Sequence, residues 1–241
     1  MNAILSLILI VGISHAKDFD PASIKWEKET YEIDRAAANK DPYSALIKLI
    51  GGNKRFIEGK SLRPRQDFET LKKTSKGQEP FAVIVGCSDS RVPNEIIFDQ
   101  GLGDLFIIRT AGQVSAAASY ASMEFATTAL KSKLIVVLGH TECGAVAAAV
   151  NPPKNAPGHI STLINEIKPA AKVCKDQPGN HVANTVRQNV IEQVNKLRDL
   201  EPILAELYRT GKILIVGAVY DIATGKVELL PETLKGLPDA K

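Results

Sequence analysis

The chain of 241 residues contains three cysteines. That is too few for a disulfide framework, and the odd number leaves a thiol for other work. No C-x-x-C pair occurs, which removes the usual dithiol redox motif. Charge of one sign is not in excess: 30 Lys and Arg stand against 27 Asp and Glu, a net charge of +3. Without a dense basic block, nucleic-acid binding has no electrostatic footprint. No apolar run approaches the roughly 20 residues needed to cross a bilayer, so no stable membrane anchor is expected. Internal repeats and low-complexity segments are absent as well. What remains is a globular composition, 44% hydrophobic and 24% charged with 17 Gly and 13 Pro. The length suits one domain able to bury a core, or two small ones.

The first residues are set apart from the fold. A mainly apolar run over 3–13 leads to Ser14-His15-Ala16 and then to charged Lys17-Asp18. The run has the length of a secretory h-region, with small residues where a signal peptidase inspects the chain. Residues 1–16 are therefore expected to be a signal peptide, and the mature protein periplasmic or secreted. Lys17 in place of Cys after the cut argues against a lipid anchor. Residues 17–40 are a polar arm whose large side chains are Trp26 and Tyr31; it must pack on something else to be ordered.

From residue 41 the pattern alternates. Asp41-Pro42 caps and starts a helix that ends near Gly59, with Leu46, Leu49, Ile50 and Phe56 at helical spacing. A short helix is expected near 67–73. Four runs rich in β-branched residues, 81–86, 105–108, 134–138 and 213–219, are too apolar and too short for surface helices. They predict strands buried on both faces of a parallel sheet. Helical stretches over 116–131 and 180–209 separate several of them, the second broken at Glu201-Pro202. Residues 227–230 add an edge strand, and 151–158 form a surface loop. Residues 41–241 thus read as one α/β domain with right-handed crossovers.

Two strand ends carry unusual chemistry, and the carboxyl edge of a parallel sheet is where functional loops lie. The first run leads into Cys87-Ser88-Asp89-Ser90-Arg91, and the third into His140-Thr141-Glu142-Cys143-Gly144. Two thiolates and an imidazole are three of the four ligands of tetrahedral zinc. No fourth Cys or His lies nearby in sequence; His159 and His181 are in a loop and at a helix start. Each residue alone has a plainer explanation, a buried small hydrophobe for Cys87 and a hydrogen-bonded core group for His140. A Cys87–Cys143 disulfide is the sharper rival in an exported protein, but it leaves His140, Asp89 and Arg91 without a purpose. Cys174 has no motif around it and reads as a spare thiol.

The strings CSDSRVP and GHTECGAV, with Cys87 and His140 53 residues apart, resemble the two signatures of the β-class carbonic anhydrases over roughly residues 41–230. The resemblance implies a parallel-sheet α/β fold in a homodimer or higher homo-oligomer, the N-terminal arm wrapping a partner. It implies one zinc ion per subunit on Cys87, His140 and Cys143, and a catalytic dyad of Asp89 and Arg91. Gln78, Phe106, Phe125 and the backbone of Gly144 match substrate-pocket positions, Gln78 reaching the site across the dimer interface. Phe125 stands where several relatives carry Tyr. Ile84 replaces the Trp of the subgroup with a non-catalytic bicarbonate site, which favours the simpler form with water on zinc.

The implied reaction is reversible hydration of carbon dioxide to bicarbonate and a proton. Zinc acidifies a bound water, Asp89 orients the resulting hydroxide, and Arg91 keeps Asp89 off the metal. Two thiolates offset the ion's charge, so the working range is expected on the alkaline side. The competing readings are hydrolysis of carbon disulfide or carbonyl sulfide on the same scaffold, and a non-catalytic zinc-stabilised binding module.

Overall fold

The β-branched runs become the strands of a single sheet. The computed structural model describes residue 20 and residues 34–239; the signal segment read at 1–16 and most of the arm lie outside the described residues. In chain order the elements are α1 (Arg35–Ala38), α2 (Pro42–Ile57), α3 (Phe68–Thr74), β1 (Ala82–Cys87), α4 (Asn94–Ile97), β2 (Leu105–Thr110), α5 (Ala117–Thr128), β3 (Leu134–His140), α6 (Gly144–Val150), α7 (Ile160–Val173), α8 (His181–Arg198), α9 (Leu204–Arg209), β4 (Leu214–Tyr220) and β5 (Val227–Leu229). The sheet order is β2-β1-β3-β4-β5, parallel throughout except for β5, which runs antiparallel to β4. This is the expected α/β architecture, edge strand included.

Every residue of β1, β3 and β4 is buried, which is why these strands show no polar alternation: helices cover both faces. On one face Leu46 and Leu49 of α2 join the cluster of Ala82, Ile84, Val136 and Leu138. On the other, Met123 of α5, Ile167 of α7 and Val190 and Val194 of α8 join Val83, Val85, Ile135 and Val137. α8 lies directly on the sheet because two strand positions have no side chain. A Cβ on Gly139 or Gly217 would sit 2.6 Å from a Val190 methyl.

Local capping sets where the helices begin. Asp41 accepts from the Ser44 amide at 2.6 Å, with Pro42 in the first turn of α2. Asp67 accepts from Thr70 N–H at 2.7 Å at the start of α3, and Asn180 from Ala183 N–H at 2.9 Å at the start of α8. Each supplies an acceptor to an otherwise unpaired N–H group. The long helical stretch does break, α8 ending at Arg198 and α9 beginning at Leu204.

The apolar pattern does not delimit four of the helices: α1, α4, α6 and α7. α7 contains Pro169 in its interior, which reads as a breaker because it lacks an N–H donor. Strands also run longer than their apolar cores. β3 reaches His140 because β4 extends beside it, Gly139 opposite Val219 and His140 opposite Tyr220. The described end of the arm packs on its own chain: Ala38 is buried in the core, and Arg35 Nε lies 3.1 Å from the buried Asp104 carboxylate.

Candidate metal centre

β1 and β3 are neighbours in parallel register, Gly86 opposite Leu138. Cys87 closes β1 and His140 closes β3, so both finish on the carboxyl edge of the sheet. From His140 the chain turns through Glu142, whose φ of 56° is left-handed, and Cys143 becomes the N-cap of α6. The ligand atoms of Cys87, His140 and Cys143 all lie within 4.8 Å of one another, and all three residues are buried. The three cysteines are free thiols, including Cys87 and Cys143.

The donor set fits a metal ion. His140 Nδ1 lies 2.8 Å from the Thr141 carbonyl oxygen, a partner that assigns the proton to Nδ1. Its Nε2 is buried with no hydrogen-bond partner, and an orphaned buried ring nitrogen facing two sulfurs is the arrangement a tetrahedral N/S site requires. Among the described residues this is the cluster of metal-ligating side chains. His159 lies at the start of α7, and His181 Nε2 is occupied by the Ala171 carbonyl at 2.8 Å.

The electrostatics of the three groups are shared. Hydrogen bonding with Cys143 is the main cause that lowers the Cys87 thiol below its ordinary value, against burial and helped by His140 and the Gly112 amide. The same bond and burial push Cys143 up. Burial acts to lower the His140 value, but the neighbouring Cys87 sulfur and the Thr141 carbonyl raise it overall. The Gly112 N–H donates to Cys87 Sγ at 3.3 Å, and Asn189 Nδ2 donates to the Gly112 carbonyl at 3.2 Å. α8 therefore braces the turn that supports the Cys87 sulfur, a contact behind a candidate ligand of the kind that tunes metal sites. Neither Gly112 nor Asn189 belongs to a sequence motif. The signal available was Asn189, a polar residue that is 2% exposed on the apolar stripe of Val186, Val190 and Val194.

Asp89 and Arg91 meet at the rim of this cluster. Arg91 donates from Nε to Asp89 Oδ1 at 2.9 Å and from Nη2 to Oδ2 at 2.7 Å. Its backbone N–H adds a bond to Oδ1 at 2.9 Å. Held chiefly by these Arg91 hydrogen bonds, the Asp89 carboxyl lies well below the usual carboxylate range. Arg91 Nη2 also reaches the Glu142 carbonyl at 3.2 Å, so one side chain ties both motif loops. Asp89 Oδ2 is 3.9 Å from His140 Nε2.

The other expected pocket residues divide. Gly144 opens α6 beside Cys143, and a Cβ there would meet nothing within 4 Å. Gln78 is exposed in the segment before β1, at the opposite edge of the sheet. Phe106 pairs with Val83, four positions before Cys87 and so about 13 Å down the strand. Phe125 lies on α5 and is 51% exposed. The structure does not bring these last three to the cluster of their own chain. Cys174 is buried at the end of α7, where burial pushes its thiol up.

The family profile described as carbonic anhydrase matches residues 82–227, which includes both motif loops. The chain is 40% identical over 194 residues to a carbonic anhydrase of Mycolicibacterium smegmatis, covering 79% of this chain and 94% of that protein. It is 38% identical over 194 residues to carbonic anhydrase 2 of Mycobacterium tuberculosis, with the same coverage. Among solved structures, a tetrameric β-carbonic anhydrase from Sordaria macrospora superposes with a TM-score of 0.63 at 25% identity, covering 78% of this chain and 95% of that one. Sequence identity along nearly the full length of known carbonic anhydrases, together with the shared parallel-sheet fold, shows that this chain belongs to the β-class carbonic anhydrase family.

Proposed function

We propose that the chain catalyses the reversible hydration of carbon dioxide to bicarbonate and a proton, with one zinc ion held by Cys87, His140 and Cys143. The observation that carries this reading is the Asp89 carboxylate, fixed by Arg91 at the rim of the three-ligand cluster with Oδ2 3.9 Å from the inward nitrogen of His140. A purely structural metal site has no use for an oriented carboxylate beside an open fourth position. When bound, zinc supplies the Lewis acidity that makes water a nucleophile near neutral pH.

The protein's own groups do the rest. Asp89, kept ionised by Arg91, accepts a hydrogen bond from the attacking water and aims its lone pair at the carbon atom. Arg91 occupies both carboxylate oxygens and so holds Asp89 back from the metal position. The open space over Gly144 leaves room for the product beside the helix start. Gln78, Phe106 and Phe125 join the pocket only if a second subunit presents them, since all three lie away from the cluster of their own chain. We therefore read the working unit as a homo-oligomer, a reading supported by the tetrameric state of the Sordaria macrospora relative. In that assembly Gln78 donates to a bicarbonate oxygen and the two phenylalanines form an apolar wall suited to a nonpolar gas. We also read residues 1–16 as an export signal, which sequencing the amino terminus of the native protein tests.

The test of the reaction is stopped-flow hydration of carbon dioxide on metal-analysed protein, with carbon disulfide and carbonyl sulfide assayed in parallel. The expected result is one zinc per chain, rapid hydration, and loss of both in Cys143→Ala. Stoichiometric zinc without hydration between pH 7 and 9 would overturn the reading, and turnover of only the sulfur compounds would replace it with the hydrolase.

A further inference from the structure

Arg109 is the charged residue that interrupts β2, opposite Gly86 in register, and no sequence motif marks it. Its guanidinium crosses to the loop that follows β1. Nε lies 2.8 Å from the carbonyl oxygen of Cys87, and Nη2 lies 2.6 Å from that of Asp89. The first of these residues is a metal ligand and the second is the dyad acid. On the β3 side the pairing of β1 stops at Gly86 and Leu138, and on the β2 side it ends at Cys87 and Thr110. Beyond these pairs, Ser88 N–H reaches the Thr110 carbonyl at 3.1 Å and Val92 N–H the Asp89 carbonyl at 3.0 Å. Two arginines thus act on Asp89 from different sides, Arg91 on its carboxylate and Arg109 on its backbone.

The geometry points to Arg109 as a positioning residue that sets the separation between the Cys87 sulfur and the Asp89 carboxylate. The inference rests on the hydration reading above and extends it by one residue. A planar guanidinium presents donors in a fixed fork, so one side chain spans two carbonyls two residues apart; a lysine ammonium, a point donor on a flexible stem, does not. Without the fork the segment 88–90 gains freedom. Asp89 Oδ2, 3.9 Å from His140 Nε2, then has only a short way to move to fill the fourth ligand position and close the site.

The experiment compares wild type, Arg109→Met and Arg109→Lys, each zinc-loaded for the pH profile of kcat/KM and each cobalt(II)-substituted for its visible spectrum. Expected for R109M is unchanged metal stoichiometry and a loss of about 10–100-fold in kcat/KM. The pH profile should shift toward alkaline values, and the cobalt spectrum should change as the fourth ligand changes. R109K should recover less than half of the lost activity. If R109M does not fold, R109K keeps the charge and most of the stem and carries the comparison by itself. Activity within twofold of wild type with an unaltered spectrum, or full recovery in R109K, overturns the inference. A zinc-loaded wild type without hydration activity would instead refute the reaction assignment, while the cobalt spectra would still report on the brace.

Discussion

Replacing Gly112 with alanine tests how the fold supports the proposed metal ligands. Gly112 sits at φ 65°, a left-handed conformation that costs an L-residue with a Cβ about 1–2 kcal/mol. The new Cβ would also lie 2.6 Å from Ile167 Cδ1 and 3.1 Å from the Ala145 Cβ, both inside ordinary contact distance. Ile167 is fully buried and has little room to turn away, and Ala145 is held by the backbone of α6. Overpacking of this kind costs about 1–3 kcal/mol. Together the two effects predict a loss of about 3 kcal/mol, a large share of the roughly 5–15 kcal/mol that holds a domain folded. The turn must shift to admit the methyl, and that shift draws the Gly112 N–H away from Cys87 Sγ, now 3.3 Å distant. Losing such an outer contact lowers metal affinity by about 10–100-fold. Urea unfolding with a chelator present isolates the stability change from metal linkage, and chelator competition on loaded protein gives the affinity. A stability loss below about 1 kcal/mol, far under the sum of the two penalties, would refute the packing argument. Unchanged zinc affinity would refute the role of the amide.

Two further outcomes follow from groups away from the site. Arg55→Met removes the partner of Asp99, whose carboxylate is 2% exposed and lies 2.7 Å from Arg55 Nε; breaking a buried pair costs about 3–5 kcal/mol. The lower end is expected in urea unfolding, because the Leu62 and Arg63 amides still reach Asp99 at 2.9 Å, and a loss below about 1 kcal/mol would contradict the buried-pair account. Tyr43 governs alkaline stability: burial first, and then the nearby Asp239, pushes its hydroxyl up from 10.0 to about 12. Its folded value exceeds the unfolded one, so this contribution is complete below pH 10 and is lost as pH rises toward 12, about 2–3 kcal/mol in all. Unfolding midpoints at pH 9 and 11.5 should therefore fall more steeply in wild type than in Tyr43→Phe; equal slopes would show that Tyr43 does not titrate late.

Much of this arrangement was legible along the chain, for reasons that differ by element. The caps at Asp41, Asp67 and Asn180 are contacts over three residues, so the information is local. β1, β3 and β4 announced themselves because burial on both faces leaves no charged residue in the run, whereas β2 is only half-buried and carries Arg109. The helix α7 did not, since Pro169 sits inside it; nor did α6, whose Gly-Ala-Val-Ala-Ala-Ala-Val sequence has no apolar periodicity to read. The candidate metal ligands were readable because each closes or follows a strand whose end the apolar pattern defines. Their supports were not. Arg109 contacts residues 20 and 22 positions away and Asn189 one 77 positions away, distances at which spacing carries no signal.

The division follows the range of the interactions. By itself the sequence determined the parallel α/β class, the places where strands end, and a donor set of two thiols and one imidazole with an acid and a base beside them. Only the tertiary structure decided that two loops 53 residues apart in sequence meet within 4.8 Å, because parallel register between β1 and β3 aligns their ends. It alone decided that His140 turns an unpartnered nitrogen inward, and that Arg91 and Arg109 clamp Asp89 from two sides. It also left Gln78, Phe106 and Phe125 away from the cluster, because a single chain places them low on the sheet or on the outside of a helix.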